Sequence, residues 1–269
     1  MSGDVARRRA HMPEGTSRIL DVRTLAASHR RLAALLGPGL RVLDVGCGIA
    51  AITRGIAEAV APGGRAVGVD VNAGLIAAAR AAHGDVPGLA FVVGDLYHLP
   101  VRGGFDVATT ARVLQWLADP RRAIRALAQA VRPGGRIVVL DYNHEKVGWT
   151  PEPPRSMAGF YAAFLRWRAE AGMDNALADH LADLFAEADL RDVRVTPQHE
   201  TARRGAPDFE RHAGIWAEVA ATRGHQMVED GAITEAERGR AEADCRAWVR
   251  DGTEVQTLYL LAVEGVPPS

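Results

Sequence analysis

Only two cysteines, Cys47 and Cys245, occur in the 269 residues, too few for a disulfide framework or a cysteine-rich zinc site and in keeping with a reducing compartment. Long apolar runs are missing as well, since no stretch approaches the roughly 18 apolar residues of a membrane span. Arg7, Arg8 and Arg9 have no apolar stretch behind them, so no secretory signal is expected. Excess charge of either sign is also lacking. Lys and Arg total 32 against 33 Asp and Glu, which disfavours a whole-molecule field for nucleic acid or an anionic membrane. These absences predict a cytoplasmic protein with neither membrane nor nucleic-acid partners. What remains is an ordinary folded composition, 48% hydrophobic and 24% charged, on a chain long enough for one large α/β domain.

Residues 1 to about 17 are polar, contain Pro13 and Gly15, and show no period, which predicts a frayed arm. Leu25, Leu32, Leu35 and Leu36 then recur at helical spacing up to Gly37-Pro38-Gly39. Beyond them, short Val- and Leu-rich runs at 41–45, 66–69, 89–93, 105–109 and 136–140 alternate with helical stretches at 49–60, 72–82 and 120–131. That alternation predicts a parallel sheet with helices on both faces. Pro62-Gly63-Gly64 and Pro133-Gly134-Gly135 each end a helix and feed a strand. Residues 142–156, with Pro151, Pro153 and Pro154, read as a loop. Helices follow around Phe160 to Trp167 and at 178–188, a strand-like run at Val193 and Val195, two helices within 207–251, and a last strand at 255–263. The expected fold is α/β, a Rossmann-like doubly wound sheet of seven strands, mostly parallel with the last antiparallel. Its expected parts are an arm and helix (1–37), a core (38–142), a cap segment (143–177) and a C-terminal part (178–269) with a helical cap insertion at 199–254.

The chemistry concentrates at Val42-Leu43-Asp44-Val45-Gly46-Cys47-Gly48, where the first strand meets a helix. Glycines there let the backbone turn tightly and approach a ligand, beside the free N–H donors of a helix start. In open α/β sheets ligands bind at the carboxyl ends of the strands. Asp70 ends the second strand, placed to accept from a ribose diol, and Asp95 follows the third in Gly94-Asp95-Leu96. This order of segments resembles the class I S-adenosylmethionine-dependent methyltransferases, most closely over residues 38–142. The resemblance implies that the glycine turn packs against the methionine part of the cofactor, that Asp70 binds the ribose, and that Asp95 and the Leu96 N–H meet the adenine. Thr110 to Trp116 match the family's wall near the sulfonium, and Ala50 stands where many members have a third glycine. The candidate cofactor set is Asp44, Gly46, Cys47, Gly48, Asp70, Val71, Asp95, Leu96 and Arg112. Cys47 reads more simply as a small buried filler, and Arg112 equally as a salt-bridged wall.

Gly46-x-Gly48-x-x-Ala51 also satisfies the dinucleotide fingerprint, with Asp70 where an NAD ribose acid would sit. Asp44 separates the two, because a carboxylate just before the turn repels a pyrophosphate and suits a cofactor bearing an ammonium and a sulfonium. A methyltransferase fold serving only as a binding module is the third alternative, disfavoured by the intact acids.

Methyl transfer from a sulfonium is a direct displacement, and a base is needed only where the nucleophile must lose a proton. Tyr142 and His144 follow the fifth strand and are the catalytic candidates. Tyr142, Trp149, Tyr161, His199 and Trp216 are candidates to line a pocket for a small organic acceptor of specialised metabolism, and His199 and Glu200 are weaker candidates for the base. No His, Asp or Glu grouping has metal-site spacing, so no metal is expected. Thr109-Thr110-Ala111-Arg112 replaces the motif expected of DNA-amino methyltransferases. A homodimer is compatible with the sequence. His29, His83, His180, His212 and His225 read as surface residues, and Arg203-Arg204 as a solvated face.

Overall fold

The computed structural model describes residues 2–13, 23–99 and 101–268. Strands β1 (Arg41–Val45), β2 (Arg65–Asp70), β3 (Leu89–Val93) and β4 (Phe105–Ala111) begin the sheet. β5 (Val131–Thr150), β6 (Arg191–Pro197), β7 (Glu200–Arg203) and β8 (Val255–Val266) complete it. The order is β3-β2-β1-β4-β5-β8-β6, with β7 also paired to β8. Pairs β1–β2, β2–β3, β1–β4 and β4–β5 are parallel, whereas β5, β6 and β7 all run antiparallel to β8. The expected doubly wound α/β fold is therefore present, with eight strands instead of seven. The eighth is β7, inside the segment whose composition predicted helices only.

Period-two alternation explains the layering. Leu43, Val45, Ile137 and Val139 point into a cluster with α6 (Pro120–Ala130) and α8 (Leu177–Ala186). Val42 and Val138 point the other way, into a cluster with α4 (Thr53–Val60). The helix α5 (Ala73–His83) is capped by Asn72, whose side chain accepts from the N–H groups of Gly74 and Leu75. Strand order reverses between β1 and β4, the point where open α/β sheets bind ligands.

The segment 142–156 departs most from its expected loop. β5 continues through it to Thr150, pairing with β8 from Asn143↔Tyr259 to Thr150↔Val255 across a register shift. The opposite edge of β8 takes β6 at Leu261–Val266 and β7 at Val255–Leu258. The sheet thus overshoots its parallel part as a three-stranded antiparallel ribbon. Polar residues such as Asn143, Glu145 and Lys146 hid that strand from a pattern reading, because the pairing comes from a segment more than a hundred residues away.

On the ribbon sits the cap. Helices α7 (Arg155–Glu170), α9 (Phe209–Ala213), α10 (Ile215–Ala221), α11 (Arg223–Glu229) and α12 (Glu235–Asp251) build it. Four helices occupy the stretch that suggested two. Their buried Phe160, Phe164, Trp167 and Trp216 form one cluster with Leu140, Tyr142 and Leu260 of the sheet. Each such side chain contributes about 1.5–3 kcal/mol on burial, which binds cap and sheet into one unit.

The N-terminal segment is not a frayed arm where it is described. Ser2–Ala10 form a helix, α1, whose last turn carries Arg7, Arg8 and Arg9. Arg9 is buried, pairs with Asp230 at 2.7 Å and donates to the Trp167 carbonyl. Arg223 donates to the Arg9 carbonyl at 2.7 Å. Tertiary anchoring, invisible to local periodicity, orders this helix; the rest of the predicted arm, 14–17, lies outside the described residues. Of the leucines at 25–36, Leu25 and Leu32 lie in two short helices, α2 (Leu25–Ser28) and α3 (Arg30–Ala33), broken at His29, and Leu35 and Leu36 follow them outside any helix. His29 is fully buried rather than on the surface, with Nε2 3.2 Å from the Thr109 hydroxyl, and burial pulls its pKa down to about 3. Arg204 is likewise no free surface charge, because its guanidinium donates to the carbonyls of Val249, Arg250 and Thr253.

Candidate cofactor cleft and acceptor cavity

β1 ends in a turn that only small residues allow. Gly46 has φ +79°, and a Cβ there would lie 2.3 Å from Val113 Cγ2. The N–H groups of Gly46 and Cys47 both donate to the Val69 carbonyl, tying the turn to β2. Ala50, at the position of the missing third glycine, has φ +70° and so takes up a conformation that disfavours a side chain.

Around this turn lies a cleft of about 600 Å³. Asp44, Gly46, Cys47, Gly48, Asp70, Val71, Asp95, Leu96 and Arg112, the whole sequence-predicted cofactor set, line it together. Asp44 is buried and accepts from the Thr53 hydroxyl at 2.7 Å. Burial first, and the neighbouring Asp70 charge to a lesser degree, push its pKa up to about 6 against the opposing hydrogen bond from Thr53. Asp70 accepts from the Gly48 N–H and the Asn72 N–H, both at 2.9 Å, and so clamps the glycine turn to its own strand end. Asp95 caps the short turn Leu96–His98 through the Tyr97 N–H, and its other oxygen lies 3.2 Å from His98 Nδ1. Burial drives the Cys47 thiol far above its usual range, which removes it as a nucleophile.

Residues that sequence reasoning missed close the cleft. Ala6, Arg7, Ala10, His11 and Met12 line it from the α1 side, with Arg23 and Arg223, while Trp116, the end of the predicted wall, lines it too. Asn72 and Tyr97 also line it, and their nearness in sequence to Asp70 and Asp95 was the one available signal. Nothing local marks Ala6 or Arg223, which arrive through packing of α1 on the cap. The guanidinium of Arg223 stacks over Trp116 at 3.8 Å.

A second cavity of about 850 Å³ opens under the cap, lined among others by Arg23, Ser28, Tyr142, His199, Glu200, Ile215 and Leu258. Of the predicted pocket residues, Tyr142 and His199 line it, together with Glu200. Trp149, Tyr161 and Trp216 line neither cavity and instead pack in the cap core. There the Trp149 Nε1 donates to Gln256, the Tyr161 hydroxyl donates to the His144 carbonyl, and Trp216 meets the Tyr161 ring edge-on at 4.5 Å.

The two catalytic candidates part company. The Tyr142 hydroxyl accepts from Arg112 Nε at 3.0 Å, in the wall between cleft and cavity. Its pKa is raised by burial, with Arg112 opposing. His144 lines neither cavity. Its ring stacks on Tyr142 at 5.1 Å and lies edge-on to Phe164 and Trp216, with Nε2 2.5 Å from Gln115 Oε1. Burial, then the charge of Arg168, hold its pKa well below the usual value, so the ring is neutral. Arg112 holds a left-handed backbone (φ +62°) and is buried, reaching Tyr142, the Ser28 carbonyl and Glu200. Among the described residues no group of His, Cys, Asp and Glu could hold a metal ion, and no helix is long and apolar enough to cross a membrane.

Residues 43–139, from within β1 into β5, match the family model of a methyltransferase domain. Trans-aconitate 2-methyltransferase of Deinococcus radiodurans is 34% identical over 136 residues, 49% of this chain and 50% of that relative. The chain spans about half the length, or less, of the curated relatives it matches. Among solved structures, a phosphoethanolamine N-methyltransferase of Haemonchus contortus, in complex with S-adenosylhomocysteine, superposes with TM-score 0.56 at 15% identity, covering 96% of this chain and 54% of that one. The cyclase SpnF superposes with TM-score 0.56 at 19% identity, covering 100% and 98%. At such identities the shared property is the fold.

Proposed function

We propose that this protein is an S-adenosylmethionine-dependent methyltransferase acting on a small organic acceptor and releasing S-adenosylhomocysteine. The observation that carries the proposal is the convergence of Asp44, Asp70 and Asp95, from three successive strand ends, on one glycine-lined cleft. The three carboxylates around the glycine turn repel a pyrophosphate placed there and attract a cation. When bound, the cofactor supplies an electrophilic methyl group on a sulfonium.

The chain supplies the rest. Asp70 would hold the ribose hydroxyls, Asp95 and the Leu96 N–H the adenine, and Asp44 with the Gly46–Gly48 turn the ammonium end. Residues 38–142 would be the cofactor-binding core, with α7 and α9 to α12 forming the cap over it. α1 covers the cleft and excludes water, which strengthens every charge interaction inside it. The cap cavity would take the acceptor, with Tyr142 and His199 facing it. Tyr142 serves better to position the acceptor than to remove a proton, because burial keeps its hydroxyl protonated. His144 supports it from behind through the stacked rings.

Isothermal titration with S-adenosylhomocysteine and with NAD tests the cofactor assignment. Binding of the first alone is expected, and NAD binding in its place overturns it. Methyl-labelled S-adenosylmethionine incubated with fractionated small-molecule extract then tests the transfer, with label expected in a small product.

A further inference from the structure

Cleft and cap cavity meet at one side chain, because Arg23 lines both. Next to it in the wall are Arg112, on the cleft side, and Tyr142, on the cavity side. Arg112 spends most of its donors on the protein itself. Nε donates to the Tyr142 hydroxyl, and Nη2 to the Ser28 carbonyl and the Glu200 carboxylate. The side chain is only 2% exposed, and its buried Nη1 has no partner among the described residues. The half-buried Arg23 makes no hydrogen bond or ion pair with a described residue. Burial, and then the like charge of Arg112, depress its affinity for its own proton. Two guanidiniums near enough to repel each other, one of them with an unused buried donor, are costly in a protein wall unless an anion joins them.

The local charge suits a particular anion. Glu200 neutralises one of the two guanidiniums by direct contact with Arg112. Asp141, also buried, already accepts from the N–H groups of Gln115 and Tyr142 and shares its field with Arg168. About one positive charge therefore remains at the junction. A monoanion balances it, whereas a dianionic phosphate would add repulsion from Glu200. The planar guanidinium fork matches a carboxylate, and Arg112 already holds one, that of Glu200. The left-handed backbone of Arg112 shows that the fold holds this side chain in place against its local preference.

Resting on the methyl-transfer proposal above, we propose that Arg23 and Arg112 anchor a carboxylate of the methyl acceptor, so that the cap cavity takes a small organic acid and holds it against the cofactor cleft. The charge at the junction selects the acid over its neutral ester, and the cavity beyond accommodates the remaining skeleton. Tyr142, bonded to Arg112, orients the anchor.

Isothermal titration of the full chain, with and without saturating S-adenosylhomocysteine, tests this with succinate, benzoate and cinnamate, each against its methyl ester, and with phenyl phosphate. At least one acid is expected to bind at least tenfold more tightly than its ester. Arg23→Gln, with its fold checked by thermal melting, is expected to abolish that preference, and Arg23→Lys to restore part of it. Arg112→Lys, which keeps the charge and loses the fork, is expected to weaken the acid about tenfold. Three results overturn the anchor: acids binding no better than esters, Arg23→Gln retaining the preference, or phenyl phosphate outranking benzoate. Because the acids are titrated with and without S-adenosylhomocysteine, failure of that cofactor product to bind counts against the methyl-transfer proposal and leaves the acid preference to be judged by itself.

Discussion

The two ends of the sheet are built on different terms. From β3 to β4 every strand is short and parallel, each ends in a loop that faces the cleft, and the nine predicted cofactor residues lie within a few positions of those ends. From β5 to β6 the pairing is antiparallel and long-range, and the residues lining the second cavity come from α2, β5, β7, β8 and the cap helices. The parallel half thus carries its chemistry in local motifs, with Gly46, Asp70 and Asp95 each fixed by the strand before it. In the antiparallel half the chemistry depends on which distant segments meet. This division matches the comparisons, in which the family model covers 43–139 and stops before the ribbon.

The contrast can be broken most severely at Asp70. Asp70→Ala removes the proposed ribose acceptor and the clamp on Gly48 and Asn72, so S-adenosylhomocysteine affinity should fall at least roughly hundredfold, about 3 kcal/mol. Calorimetry paired with circular dichroism checks it; unchanged affinity in a folded variant removes Asp70 from the site. Next comes the cap's hold on α1. Asp230 accepts from Arg8, Arg9 and the Trp167 Nε1, and Arg9 is itself buried. Asp230→Ala should cost about 2 kcal/mol in urea unfolding and raise hydrogen exchange in residues 2–13 ahead of the sheet. Equal protection in both proteins would mean that α1 is held by other contacts.

The smallest effect is one of pH. The Asp44 carboxyl, with a pKa pushed up to about 6, is mainly ionised at pH 7 and mainly protonated at pH 5. A bound ammonium favours the ionised form, so affinity should be lost as pH falls through about 6, by roughly tenfold between pH 7 and 5. Asp44→Asn should flatten that dependence. A wild-type affinity constant across the range separates Asp44 from the ammonium.

Legibility in the sequence followed the same boundary. The ends of β1 and β3 fall where the Val-rich runs placed them, and the nine predicted cofactor residues share one cleft, because strand, glycine turn and acid are contiguous there. Ala50 shows the limit even in that half: the sequence marked a departure from the glycine pattern, but not that the backbone keeps the left-handed conformation regardless. In the other half, His144 and Trp216 stood near the expected pocket in sequence yet face the cap core, because the aromatic cluster of α7 and α10 captures them. The short strand β7 had no apolar pattern of its own and exists because β8 offers it an edge.

The sequence by itself determined the doubly wound sheet and the position of the acid-lined glycine turn, since both follow from period-two hydrophobicity and residues adjacent along the chain. Only the tertiary structure decided that α1 covers the cleft, that β5 runs on into a ribbon, and that Arg23 stands beside Arg112 where two cavities meet. Those are contacts between segments up to about two hundred residues apart, and no local pattern encodes which side chains such contacts leave unpaired.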